Sequence, residues 1–417
     1  MSDLPARALS PEHRGLRCVS VVGAAYLVQG LVGAVGVLIL GRLAQLGTPL
    51  ETQVGILASG AVPWVLKFGL ALVLDLGPSW PLRARALVLT ALQGCAALCV
   101  WGLAQAWVGG LAGAPASMAT LAAGWVALNV CVAAQDVLVD ALALDTLGDR
   151  RAATATAMGI GFALGSGLLG PLVIGDRIVT DGMAAGLRLP AWWIGALAVL
   201  PAALLWIPGR PTKARERARA RPAQPGEISQ LIWLPIVFVA LTFAANTTSA
   251  ISYEFLFQHL GWDYPSYTRV LLPIGACAGI VGALAMGPAV AQFGPARAAM
   301  GASFALGSIW LGFASVAPWW SAQSLIATLA GAEGLLQAAL LVGLHALALL
   351  AAARSPMPTT MFVCAMAALN LPRVLAPLLA PDALALGWIG LFVACGLVQV
   401  LAGVGLWPLR RWALERS

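Results

Sequence analysis

The sequence predicts an all-α integral membrane protein of twelve transmembrane helices arranged as two six-helix bundles. Three observations lead there. The 417-residue chain is 60% hydrophobic and 10% charged, with a mean hydropathy of +0.88, where soluble domains carry about 25% charged residues. Its apolar residues gather into twelve segments of a length suited to a hydrocarbon core of about 30 Å. The longest polar connection, 209–230, follows the sixth segment and divides the chain into six and six.

In order, the segments are 18–41, 53–74, 86–107, 116–144, 152–175, 189–208, 231–258, 268–292, 298–317, 322–351, 358–380 and 384–408. Gly and Pro recur inside them, as membrane helices tolerate. The expected units are an N-terminal bundle over 1–208, a basic linker over 209–230 and a C-terminal bundle over 231–417. The linker run Lys213-Ala-Arg-Glu-Arg-Ala-Arg-Ala-Arg221 reads as a solvated cytoplasmic loop, with anionic lipid headgroups as the alternative partner. If the N-terminus is inside, 18 of the 24 Lys and Arg residues fall on the cytoplasmic side and 4 on the other, with Lys67 and Arg373 within spans. That asymmetry places both termini in the cytoplasm, in a multi-pass protein of the inner membrane. The net charge of +7 follows from this topology rather than from a nucleic-acid partner. Residues 1–17 show no cleavable signal, so the first span is expected to act as its own insertion signal. The seven cysteines lie in or beside spans without a C-x-x-C pair and read as small apolar fillers.

Span 4 is the segment around which the rest is organised. It carries Asp136 and Asp140, and a carboxylate near a bilayer centre costs at least ~2.5 kcal/mol on insertion scales. At 100° per residue, Asn129, Asp136 and Asp140 fall within about 40° of one another, a single polar stripe. The stripe either locks helices together or lines a transport route, and the two roles are compatible. Lys67 in span 2 lies within about 6 Å of Asp136 in depth, at helical rise. One lysine serving two neighbouring acids makes the pair a proton acceptor. Glu333 in span 10 and Arg373 in span 11 sit at matching distances from the outer face and form the second expected ion pair. Span 7 presents Thr242, Asn246, Ser249 and Tyr253 over about 60°, a stripe suited either to a cavity or to interhelical hydrogen bonds. His345 is a lone histidine with a structural role expected. The run Gly159-Ile-Gly-Phe-Ala-Leu-Gly-Ser-Gly-Leu-Leu-Gly-Pro171 reads as close helix packing in span 5. Neither a phosphate-binding Gly-x-x-x-x-Gly-Lys-Ser/Thr loop nor a metal-ligand cluster or nucleophile–base set occurs. No catalytic residue, metal or cofactor is therefore expected.

Six-plus-six spans around a basic loop resemble the major facilitator superfamily. The loop Asp75-Leu-Gly-Pro-Ser-Trp-Pro-Leu-Arg-Ala-Arg85 resembles that superfamily's acidic-Gly-basic signature, although its second-half echo, Gln292-Phe-Gly-Pro-Ala-Arg297, lacks the acid. Three further stretches are similar to the peptide/acetyl-CoA transporter branch, which includes the AmpG-type muropeptide permeases. They are Val62-Pro-Trp-Val-Leu-Lys-Phe68, Ala134-Gln-Asp-Val-Leu-Val-Asp-Ala141 and the span-11 stretch ending Leu369-Asn-Leu-Pro-Arg373. Some siderophore-linked permeases look alike, and the first span lacks the Ser-Gly-Leu-Pro pattern of the muropeptide permeases. The resemblance implies a monomeric secondary transporter that rocks about a midplane site. Its expected cargo is a polar or amphipathic organic solute of muropeptide, acyl-CoA-like or siderophore class, imported with protons. Spans 1, 4, 7 and 10 would line the cavity, through Tyr26, Gln29, Asn129, Asn246, Ser249, Tyr253 and Gln337. Asp136, Asp140, Lys67, Glu333 and Arg373 would serve proton coupling or ion pairing, and Asp75, Arg83 and Arg85 would form a gating latch. Drug or metabolite efflux and a non-transporting membrane scaffold are the alternatives.

Overall fold

A computed structural model describes residues 11–76, 80–108, 115–145, 151–205 and 225–410. Ten helices long and apolar enough to cross a membrane come first: α1 (Leu16–Gln45), α2 (Leu50–Leu76), α3 (Leu82–Gln105), α4 (Met118–Leu144), α5 (Thr154–Asp181), α6 (Met183–Leu205), α7 (Ile232–His259), α8 (Tyr264–Phe293), α9 (Pro295–Ser315) and α10 (Gln323–Ala353). The apolar stretch that remains, Pro358–Val404, has 47 residues. As one helix it would be about 70 Å long, more than twice the hydrocarbon thickness of about 30 Å. It is in fact divided. α11 (Pro358–Ala383) ends in a 3₁₀ turn at Leu384–Leu386, and Gly387, at φ 67°, starts α12 (Gly387–Val404) in a new direction. That positive φ is open to glycine at little cost. Both α11 and α12 then pack along α7. The chain is a multi-pass membrane protein with twelve such helices among the described residues.

Most of the helices outrun the apolar segments from which they were predicted; α4 and α12 are shorter than theirs. α5 continues to Asp181 and α6 begins at Met183, so the expected loop shrinks to Gly182, and Arg177 and Arg188 lie in helices instead. Hydropathy reports where lipid contact ends, whereas a helix continues until its hydrogen bonds stop. Most of the basic linker, with its run 213–221, and the 109–114 connection lie outside the described residues.

Small residues set how closely the helices approach. A Cβ on Gly165 would lie 2.7 Å from the Leu31 amide nitrogen, and one on Gly30 would lie 2.8 Å from that of Ser166. α1 and α5 therefore touch backbone to backbone, as the glycine run of α5 predicts. The same segment contains a π-helix, Leu164–Gly175, around Pro171, which lacks an N–H and cannot keep the α ladder unbroken. In the second half, a Cβ on Gly334 would lie 2.7 Å from the Gly275 carbonyl carbon, bringing α8 and α10 together. The two halves meet chiefly where α2 packs on α11 and α5 packs on α8 and α10.

Candidate functional site

The site is built where α1, α2 and α4 converge. α2 is interrupted at Lys67, one turn beyond Pro63. Proline removes a helical donor and displaces the carbonyl four residues back. Trp125 of α4 packs in a slot bounded by α1 and α2. A Cβ on Gly36 would lie 2.9 Å from its Cζ2, and one on Gly60 would lie 2.6 Å from its Cδ1. These two glycines admit the indole and so bring α4 near enough to α2 for their polar groups to bond.

Lys67 Nζ donates to Asp136 Oδ2 and lies 3.9 Å from Asp140 Oδ2. Gln29 Nε2 donates to Asp136 Oδ1 at 2.6 Å, and Tyr26 Oη donates to Asp140 Oδ1 at 3.1 Å. One turn before Lys67, Trp64 Nε1 donates to Asn129 Oδ1 at 2.8 Å, while its ring lies 5.3 Å below the Lys67 ammonium. Asn129 Nδ2 in turn donates to the Trp125 carbonyl at 2.8 Å. Tyr26, Gln29, Lys67, Asn129, Asp136 and Asp140 are all buried. Asp140 Oδ2 alone among the four carboxylate oxygens accepts no hydrogen bond. One cation thus faces two carboxylates in a space from which lipid and bulk water are excluded, where such interactions are strong.

The network reaches the second half at two points. The Tyr26 ring meets His345 of α10 edge-on, with centroids 6.1 Å apart. His345 Nδ1 is 2.7 Å from the Leu341 carbonyl, so the lone histidine lies between the halves. Arg373 of α11 is in electrostatic range of Asp136.

This corrects the second expected ion pair. Glu333 does not bond to Arg373. Its Oε1 instead accepts from Trp310 Nε1 at 2.8 Å, with Gln337 Nε2 at 3.4 Å and Thr248 Oγ1 at 3.5 Å. Equal depth did not bring the pair together because depth leaves the rotation of each helix about its own axis undetermined. The span-7 stripe also divides. Thr242 Oγ1 donates to the Phe238 carbonyl of its own helix and reaches the Leu369 carbonyl of α11 at 3.3 Å. Asn246 is half-buried and donates to the Thr242 carbonyl, and Ser249 is exposed. Tyr253 is buried, and its hydroxyl donates to the Val37 carbonyl of α1 at 3.2 Å.

Contacts between the halves occur toward both ends. At the end that carries the start of α11, Asp75 Oδ2 accepts from the Thr360 amide at 2.7 Å and from its hydroxyl at 2.9 Å. An acid at the first turn of a helix satisfies unpaired N–H groups and opposes the positive dipole end. Arg85 is buried beside this end of α3 and Arg83 is exposed; residues 77–79, including Gly77 of the signature, lie outside the described residues. At the opposite end, Tyr264 Oη donates to the Leu38 carbonyl at 3.0 Å, and Arg269 pairs with Asp176 at 2.7 Å with both side chains half-exposed.

Several participants carried no signal in the sequence. Trp310 and Thr248 belong to no polar stripe. Trp64 lies three residues before Lys67 and so on nearly the same face, which was the available clue to it.

No protein-family model matches the chain, and no curated protein matches it in sequence. In structure it is similar to a crystal structure of the human organic anion transporter MFSD10 (TETRAN), with a TM-score of 0.64 at 17% identity over 94% of this chain and 99% of that one. A likeness over nearly the whole of both chains at so low an identity speaks to architecture, and the architecture of this chain is the major facilitator fold.

Proposed function

We propose that this protein is a secondary transporter working by alternating access, importing a polar or amphipathic organic solute together with protons. The observation that supports the reading best is the cluster of Lys67, Asp136 and Asp140 with its donors Gln29 and Tyr26. Intramembrane charges are costly and are retained where they do work. A cation shared by two acids can release one of them to take a proton as the halves move. Toward both ends the halves are also joined by polar contacts, Asp75 on Thr360 and Arg269 with Asp176, which suits a path that opens at one end at a time. The three motif resemblances narrow the solute to the muropeptide, acyl-CoA or siderophore class.

Reconstituted protein is expected to accumulate its solute under an inward proton gradient and to lose accumulation when the gradient is collapsed. Asp136→Asn is expected to reduce gradient-driven accumulation by about 100-fold, the upper range for losing a positioned proton-transfer group being larger still, while solute exchange persists. Accumulation by Asp136→Asn equal to the parent's would make Asp136 structural and move attention to Glu333.

The same proposal places both termini in the cytoplasm. A cysteine introduced in 109–115 should react with an impermeant maleimide added outside, and one in 212–222 should not. The opposite pattern would overturn the orientation drawn from the basic residues.

A further inference from the structure

Arg373 stands apart from the other charges inside the membrane. Lys67 bonds Asp136 and lies 3.9 Å from Asp140, and Glu333 is met by neutral donors. Arg373 makes none of the hydrogen bonds or ion pairs found among the described residues, and it is half-buried rather than sealed. A guanidinium offers five N–H donors in a planar fork. Its electrostatic partner across the interface, Asp136, is already bonded to Lys67 and Gln29.

Its position is central. Arg373 lies 15 residues into α11 from Pro358, about 22 Å from that end at helical rise. On neighbouring helices, Asn246 of α7 and Gln337 of α10 come to about 21 and 24 Å from the same end by the same rise. Both are half-buried, as is Asn370 on the adjacent turn of α11. The amides of Asn246 and Asn370 each spend one N–H on a carbonyl four residues back in their own helix, and each keeps a second.

We propose that Arg373 binds an anionic group of the solute, a carboxylate or phosphate, in a subsite at mid-membrane beside Asn370, one turn earlier on the same helix. This rests on the transport reading above and adds the chemistry of the solute to it. A carboxylate or phosphate accepts two parallel N–H bonds from the guanidinium fork, and the second N–H of Asn370 can serve a remaining oxygen. Lys67 and Arg373 together offset Asp136 and Asp140, while Glu333, held by neutral donors, stands as a third intramembrane acid. A solute anion at Arg373 adds one negative charge, which one proton taken up by these acids would offset.

The test uses purified full-length protein and a panel of probes, each beside an uncharged counterpart: acetate and acetamide, succinate and succinamide, inorganic phosphate and glycerol, N-acetylmuramic acid and N-acetylglucosamine, coenzyme A and adenosine. At least one anion is expected to raise the melting temperature where its counterpart does not. Arg373→Met should weaken that anion's binding by about 30-fold or more, and Arg373→Lys should restore part of it. The melting temperature without probe separates this role from a structural one. Arg373 makes no hydrogen bond or short ion pair among the described residues and meets Asp136 only at range, so its removal should lower the melting temperature far less than the loss of Lys67, which bonds Asp136 directly; a fall in Arg373→Met as large as that in Lys67→Met would overturn the subsite. Stabilisation by uncharged probes alone, equal in parent and Arg373→Met, would overturn the subsite and leave the transport reading in place. No stabilisation by any probe would overturn the subsite, and absence of gradient-driven uptake of every probe in proteoliposomes would remove the transport reading as well.

Discussion

In the first half of the molecule, two buried acids on α4 are met by a charge, Lys67 of α2, supported by Gln29 and Tyr26 of α1. In the second half, one acid on α10 is met by neutral groups, Trp310 of α9, Gln337 one turn away and Thr248 of α7. Both arrangements lie inside membrane-length helices, yet they differ in what a change of charge would do. The ionic cluster has an internal counterion, so its acids and its lysine depend on one another. The indole-capped acid has donors that serve a carboxylate, a carboxylic acid or an amide nearly equally. The first arrangement suits a site that must change state, and the second suits a fixed one.

The sharpest way to break this contrast is to remove Lys67. Lys67→Met leaves two acids without their counterion and is expected to cost about 3–5 kcal/mol, read as a lowered unfolding midpoint in detergent. The double change Lys67→Met with Asp136→Asn is expected to recover most of that loss, because coupled groups are not additive. If the double variant is no more stable than the single one, the lysine acts mainly through packing of its stem and the ionic reading of the first half fails.

A smaller effect is expected at the second site. Trp310 is fully buried and its Nε1 is the shortest donor to Glu333. Trp310→Phe removes that donor and is expected to cost about 1–3 kcal/mol, the range for leaving a buried acceptor poorly satisfied. A Trp310→Phe cost equal to that of Lys67→Met would erase the distinction between the two regions.

The smallest effect is expected for Glu333→Gln. The amide oxygen can still accept from Trp310, so stability should change by less than about 1 kcal/mol and gradient-driven uptake should persist. Loss of uptake in a stable Glu333→Gln protein would show that the second acid takes part in coupling, and the two regions would then be alike in function despite their different partners.

The membrane class, the number of helices and the stripe of Asn129, Asp136 and Asp140 were legible in the residues, because hydropathy and helical periodicity are local properties of a segment. So was the meeting of Lys67 with Asp136, since spans 2 and 4 each hold few charges and their depths agree. The division of Pro358–Val404 was legible too, because no bilayer accommodates a helix of that length. The partner of Glu333 was not. Depth along a helix follows from the count of residues, but its rotation is set by how neighbouring surfaces interlock, here by glycine contacts such as Gly334 on Gly275. Three-dimensional packing likewise turned Tyr253 toward the Val37 carbonyl, brought Tyr26 against His345 and left Arg373 unbonded. Those outcomes depend on residues far apart in the chain, and no local pattern records which of them will share a boundary once the helices are packed.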